Sequence, residues 1–153
     1  MSFMDDNLEF ADAASVGTPN GSTGNVGDII DTGSVSRDIG AGQPLYLVIT
    51  VDTAITSGGA ATVIFHLVSD ATTTIATDGS ATEHVKTQDI AVADLVAGYT
   101  LVVPLPSFNP TYERYLGFQV EEAASQALTA GNVNAYLTLD PVGPRDSYAD
   151  AAN

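Results

Sequence analysis

The sequence predicts an all-β protein, a single β-sandwich that is jelly-roll-like, with extended N- and C-terminal arms. Short runs of alternating apolar and polar residues are separated by turn-forming residues, and helical periodicity is almost absent. The 153 residues suffice for one domain with its own core. Because the chain lacks the Cys-Trp-Cys core of immunoglobulin domains, a jelly roll is favoured over an immunoglobulin-like strand order.

The strand predictions rest on a period of two residues. In residues 45–51 every second position is Leu, Ile or Val, whereas residues 61–69 are apolar on both faces and predict a central strand. Residues 99–105 also alternate, but Pro104 lacks a ladder donor and restricts that strand to an edge or a bulge. Further strands are predicted at 116–120 and 133–139, weaker ones at 28–31, 72–77 and 83–90, a hairpin turn at Asp78-Gly79, and a short helical turn at 92–96.

Both ends of the chain are predicted to be extended. Residues 1–27, rich in Gly, Ser, Asn and Asp, predict an N-terminal arm, residues 28–140 the sandwich, and residues 141–153 a C-terminal tail. Ordering an arm costs about 1–2 kcal/mol of backbone entropy per residue, so its apolar anchors are expected to bury against a neighbouring subunit. In the alternative, the first segment folds back onto its own domain as an additional strand.

The charge limits the classes of partner. Four Lys and Arg face nineteen Asp and Glu, a formal net charge of −15. Nucleic acid and anionic lipid bind through basic groups, so neither is an expected partner, and a protein surface is; solubility alone is the other explanation. The acidic N-terminus is unlike a secretory signal, and no apolar run approaches the ~18 residues that cross a bilayer. We expect a soluble protein made in a cytoplasm.

No sequence motif points to catalysis, a cofactor or a metal. The absence of cysteine excludes thiolate nucleophiles and Cys-based zinc sites. His66 lies in an apolar strand and His84 in a polar run, which predicts one packed and one surface histidine rather than a catalytic pair. There is no Gly-x-Ser-x-Gly elbow, no calcium-loop pattern and no Lys-Ser/Thr ending to the early glycines. We expect no enzymatic activity, no cofactor and no bound metal.

Six short pieces of the chain are informative when taken together. They are SRDIGAGQPLY at 36–46, VDTA at 51–54, GGAAT at 58–62, LVAGY at 95–99, ERYL at 113–116, and TAG at 129–131 leading to AYLTLD at 135–140. In order and spacing, these pieces resemble the cement (decoration) proteins of tailed-phage capsids. The resemblance covers residues 28–140.

The resemblance implies a jelly-roll-like homotrimer without enzymatic activity. Its partner would be the major capsid protein, and its place the outer face of the virion at junctions between capsid subunits. The couples Arg37-Asp38 and Glu113-Arg114 lie beside strands, where arginine can hold a carboxylate or backbone carbonyls. The predicted contact residues are Phe3, Leu8, Phe10, Arg37, Asp38, Tyr46, Tyr112, Arg114, Tyr115 and Tyr148.

Two other functions are compatible with a sandwich fold. A carbohydrate-binding module would use surface tyrosines, and a co-planar row of exposed tyrosines would favour it. A small hydrolase would need a carboxylate pair, or a histidine and an acid, converging in a cleft. No sequence motif supports either function.

Overall fold

A computed structural model describes residues 8–33, 39, 42–107 and 111–141. Within these residues, nine strands form a four-stranded sheet, in the order β1-β9-β3-β7, and a five-stranded sheet, in the order β2-β8-β4-β5 with β6 also paired to β4. All of the strand pairs are antiparallel. The strands are β1 Glu9–Ser15, β2 Thr23–Asp31, β3 Tyr46–Ser57, β4 Thr62–Asp70, β5 Thr82–Lys86, β6 Ile90–Ala91, β7 Thr100–Pro104, β8 Tyr115–Glu122 and β9 Leu128–Thr138.

The strand order is that of a jelly roll. The consecutive strands β1 and β2 lie beside the consecutive strands β9 and β8, one pair in each sheet. Inside them, β3 and β4 likewise separate into different sheets, next to β7 and β5. In a jelly roll, successive antiparallel strand pairs are divided between two packed sheets in this way. The predicted all-β sandwich is therefore confirmed.

The core lies between the two sheets, and side chains from both sheets contribute to it. Phe65 of β4 stacks on Phe118 of β8, with ring centroids 5.8 Å apart. Leu47 of β3 and Val133 of β9 face them from the other sheet and are fully buried. Strand β4 lies between β8 and β5, and all its residues except the first and last are buried, as the apolar pattern on both faces predicted.

Strand β7 is an edge strand among the described residues, as Pro104 predicted. The N–H of Leu105 donates to the Leu45 carbonyl at 2.8 Å, so the alternation of the ladder turns the nitrogen of Pro104 toward the open edge. Any other residue at position 104 would direct an unpaired backbone N–H to the open edge. Proline therefore blunts the edge against pairing with another strand.

The predicted N-terminal arm over residues 1–27 is wrong for its described part. Strand β1 and half of β2 lie before residue 28, and Phe10 is 1% exposed, against Phe118 at 6.5 Å between centroids. Gly27 has a φ of +72°, and a Cβ there would lie 1.9 Å from the Phe10 carbonyl oxygen. This glycine thus permits a close strand contact rather than flexibility. The segment folds onto its own domain.

Three smaller predictions also changed. Residues 72–77 form a loop, not a strand, and the predicted strand at 83–90 divides into β5 and β6. Asp78-Gly79 lies within the long connection between the antiparallel strands β4 and β5 rather than in a tight hairpin. The predicted helical turn is a 3-10 helix over Val92–Asp94. No helix in the described parts of the chain has the length and apolar character that a membrane span requires.

Candidate functional site

A polar cavity of about 520 Å³ opens on the outer face of the five-stranded sheet. Strands β4, β5 and β8 form its floor, and its walls come from the β4–β5 loop and from the chain at the start of β2. The floor side chains are His66, Val68, Glu83, Lys86, Gln119 and Glu121. This cavity brings together four titratable side chains from three strands of that sheet.

His66 lies between two carboxylates at the floor of the cavity. Its Nδ1 is 3.0 Å from Glu83 Oε2 and its Nε2 is 2.8 Å from Glu121 Oε2, while the residue is 5% exposed. A neutral imidazole has one N–H and can donate only one hydrogen bond to the two carboxylates. Both contacts are hydrogen bonds only when one more proton is bound, either to the imidazole ring or to one of the two carboxyl groups. The Lys86 ammonium, 3.8 Å from Glu121 Oε2, adds a positive charge. The cluster links β5, β4 and β8.

A β-bulge places Glu83 and Lys86 on the same face of β5. Leu67 pairs with Val85 and Val68 pairs with Glu83, which leaves His84 as the extra residue. Strict alternation would send residues 83 and 86 to opposite faces. The bulge turns His84 inward to 8% exposure, so the predicted surface histidine is wrong, whereas His66 is packed as predicted.

The β4–β5 loop is fastened over the sheet by side-chain amides. Gln119 Nε2 donates to Asn25 Oδ1 and to the Ala76 carbonyl, each at 2.8 Å, and Asn25 Nδ2 donates to the Ile75 carbonyl at 2.9 Å. Ile75 is buried against Gly117, where a Cβ would lie 2.4 Å from its Cδ1. The wall of the cavity is therefore held in place by hydrogen bonds and packing.

A second polar group, formed by Ser69, His84 and Tyr112, lies in the interior. Ser69 Oγ is 2.7 Å from His84 Nε2 and accepts the Glu113 N–H at 3.0 Å; the His84 ring stacks on Tyr112 at 3.8 Å between centroids. Burial lowers the pKa of His84 to about 4 and raises the pKa of Tyr112 to about 12. Ser69 is 0% exposed, so this serine–histidine pair is out of reach of a substrate.

We expect the protonation of His84 to lower the free energy of unfolding as the pH is reduced from about 6.5 toward 4. The unfolded chain binds this proton more tightly than the folded protein does, so unfolding is favoured in that interval. The loss should be about 3 kcal/mol and should be smaller in His84→Gln. Urea unfolding of both proteins at neutral and acid pH measures it. An identical pH dependence in the variant would contradict this assignment.

Across the described ranges, no three His, Asp or Glu side chains are arranged to hold a metal ion. Both nitrogens of His66 are already engaged by carboxylates. In this geometry the imidazole has no nitrogen left for a ligand.

Comparison with known protein families matches residues 10–137 to the model of Bbp16. The chain belongs to the Bbp16 family. The match runs from Phe10 in β1 to Leu137 in β9, and so includes the cavity and all of the strand residues except Glu9 and Thr138. A search of curated proteins found no match.

The predicted contact residues of this Bbp16 family member differ in their burial, and some lie outside the described residues. Phe10 and Tyr112 are corrected to core residues, because both are buried in the hydrophobic cluster and the Tyr112 hydroxyl donates to the Pro106 carbonyl at 2.7 Å. Leu8 packs partly buried against the same cluster. Tyr46 and Tyr115 are partly exposed. Phe3, Arg37, Asp38 and Tyr148 lie outside the described residues.

Arg114 of this Bbp16 family member pairs with Asp31, a residue that sequence reasoning missed. Its Nε and Nη2 donate to the two carboxylate oxygens at 2.8 and 2.9 Å, and its guanidinium lies 5.0 Å from the Tyr115 ring centroid. These bonds, with one from the Gly33 N–H, lower the pKa of Asp31 to about 2. The neighbouring Glu113 instead accepts the Thr82 hydroxyl. The Asp31–Arg114 pair ties β2 to the start of β8.

Proposed function

We propose that this chain is a structural virion protein that binds the outer surface of a phage head, at junctions between major capsid proteins, and stabilises the shell. One observation carries the proposal. The Bbp16 match over residues 10–137 takes in nearly all of residues 28–140, the same stretch in which six pieces resemble capsid cement proteins. The shared region is a jelly roll, the fold that this resemblance implies.

The charge of the chain supports an outer position. Phage DNA is packed inside the head, and a protein with a net charge of −15 is repelled by phosphates. On the outer face the same charge keeps particles apart in suspension. The major capsid protein and other copies of this chain are the proposed partners, and host cytoplasm the place of synthesis.

Stabilisation would come from several weak contacts acting together. A homotrimer bound at three points gains avidity because the second and third contacts form at high effective concentration. A protein that binds only the mature lattice also stabilises that lattice by mass action. No single strong site is required.

We expect the purified protein to co-sediment with undecorated heads of its phage and to raise the temperature at which they rupture. Heads that are already decorated serve as the matched control, because their sites are filled. Sedimentation equilibrium of the free protein measures whether the proposed homotrimer forms before binding. Undecorated heads that neither bind the protein nor gain thermal stability would refute the proposed function.

A second candidate, hydrolysis, is favoured by one observation. The cluster of His66, Glu83 and Glu121 is a histidine with acids in a cleft, as a small hydrolase would need. The engaged ring nitrogens weigh against it. We expect ester and glycoside substrates to remain intact with the native protein and with His66→Gln alike. Turnover that only the native protein shows would favour the enzyme.

The carbohydrate-binding alternative receives less support from the tyrosines. Tyr112 is buried. The other four tyrosines of the described chain are each only partly exposed. They are Tyr46, Tyr99, Tyr115 and Tyr136. Among the described residues, the row of exposed tyrosines that would favour sugar binding is therefore not present.

A further inference from the structure

The outer face of the four-stranded sheet carries nine uncharged residues in three cross-strand rows. Each row runs from β9 through β3 to β7 in register. The rows are Thr138, Tyr46 and Pro104; Tyr136, Val48 and Val102; and Asn134, Thr50 and Thr100. We call these nine residues the neutral patch.

The neutral patch has the chemistry of an interface centre. Val102 is 40% exposed and supplies accessible apolar surface in the middle row, whereas its neighbour Val48 is only 3% exposed. The hydroxyls of Thr50 and Thr100 bond to each other at 3.3 Å. Interface centres are enriched in aromatic and apolar groups and depleted of charge.

The outer face of the other sheet differs in charge. It presents Glu83, Lys86 and Glu121 around the cavity. Two copies meeting through that sheet would bring Glu83 and Glu121 close to the same carboxylates of the neighbour, at a cost in free energy. With a net charge of −15 on each copy, close approach is favoured where the surface carries no charge.

Acidic residues border the neutral patch without entering it. Glu9 pairs with Tyr136 from β1, Asp12 is exposed further along the same strand, and Asp52 is exposed on β3 beyond the patch. Such a border repels a like-charged copy until salt screens it. Association through the patch should therefore strengthen as ionic strength rises.

We propose that the neutral patch is the surface through which this chain contacts a second copy of itself. This inference deepens the self-association within the proposed function and rests on it. If the patch packs against its own counterpart about a two-fold axis, a dimer results. If it packs against another surface of the next copy, a closed ring such as the trimer results.

A matched pair of variants tests the patch. Val102→Asp places a carboxylate in its middle row, and Ile29→Asp places one on β2 of the other sheet at the same 40% exposure. We expect Val102→Asp to weaken self-association at least about tenfold in sedimentation equilibrium, and Ile29→Asp to leave it within about twofold. Native protein should associate more tightly at higher ionic strength. Circular dichroism and the thermal midpoint confirm folding; Thr100→Asp is the second patch variant if Val102→Asp does not fold.

Several outcomes would overturn the inference. Equal self-association of the Val102→Asp and Ile29→Asp variants is one. Native protein that stays monomeric at every accessible concentration is another, even if Val102→Asp then loses head binding, because the patch would in that case contact the capsid protein. Head binding without self-association defeats this inference alone, whereas patch-dependent self-association without head binding defeats the proposed function alone.

Discussion

Phe10→Ala should lower the free energy of unfolding by about 3–5 kcal/mol, the usual cost of removing a buried phenylalanine ring. Phe10 is 1% exposed and packs toward Phe118, so its loss opens a cavity between β1 and the five-stranded sheet. The backbone of β2 at Gly27 passes too close to shift far into that space. Urea unfolding followed by circular dichroism measures the change.

The control for this prediction is Asp12→Ala on the same strand, where the side chain is exposed. We expect it to change stability by less than about 0.5 kcal/mol. Deletion of residues 1–12 should lower the thermal midpoint at least as much as Phe10→Ala does. A deletion that leaves the midpoint unchanged would restore the idea of a dispensable arm.

Glu122→Ala should lower the free energy of unfolding by about 3 kcal/mol, because it removes the common acceptor of three part-buried backbone N–H hydrogen bonds to a carboxylate. The Glu122 carboxylate is 1% exposed and accepts the N–H groups of Gly21 at 2.7 Å, Ala124 at 2.8 Å and Gln126 at 3.0 Å. It thereby joins the loop before β2 to the loop before β9. Chemical unfolding of the variant measures the loss.

The same carboxylate should contribute to acid unfolding. Burial opposes its charged form, but the backbone N–H groups outweigh burial and lower the pKa of Glu122. A group with a lowered folded pKa stabilises the protein above its unfolded pKa, and that stabilisation is lost as the pH falls through the folded value. Glu122→Gln should reduce the decrease in the free energy of unfolding that occurs as the pH falls into the acid range. Asp89→Asn, at an exposed position, should not reduce it. Equal profiles would show that Glu122 is not responsible.

Strands with regular alternation could be predicted from the sequence. The β4 pattern gave a central strand, and Pro104 gave an edge, because both signals depend only on side chains and backbone donors within one strand. Such local signals survive folding. The sandwich class followed from their number and spacing.

Strands with bulges could not be predicted in the same way. The register of β1 shifts between Glu9 and Ala11 and again before Ala14, so its apolar residues do not alternate. The bulge at His84 reverses the face of that residue. A bulge is decided by the partner strand, which a single stretch of sequence does not contain.

The candidate site was missed for a related reason. His66, Glu83 and Glu121 come from three strands and meet only through the pairing of β4 with β5 and β8. The polar His66 within an apolar strand was the one signal available. It pointed to a packed residue but not to its partners. The Asp31–Arg114 pair likewise depends on the register of β2 with β8.

The pairing of β1 with β9 has a consequence for biosynthesis. Glu9 lies opposite Tyr136, and β2 lies opposite β8, so the first strands made find their partners only among the last. On the ribosome, Phe10 and Val26 emerge long before the strands that cover them. Their apolar side chains therefore remain exposed until those strands have been synthesised. Such non-local topologies fold slowly and are vulnerable to aggregation until they close. The jelly roll can therefore be completed only after β9 has left the exit tunnel.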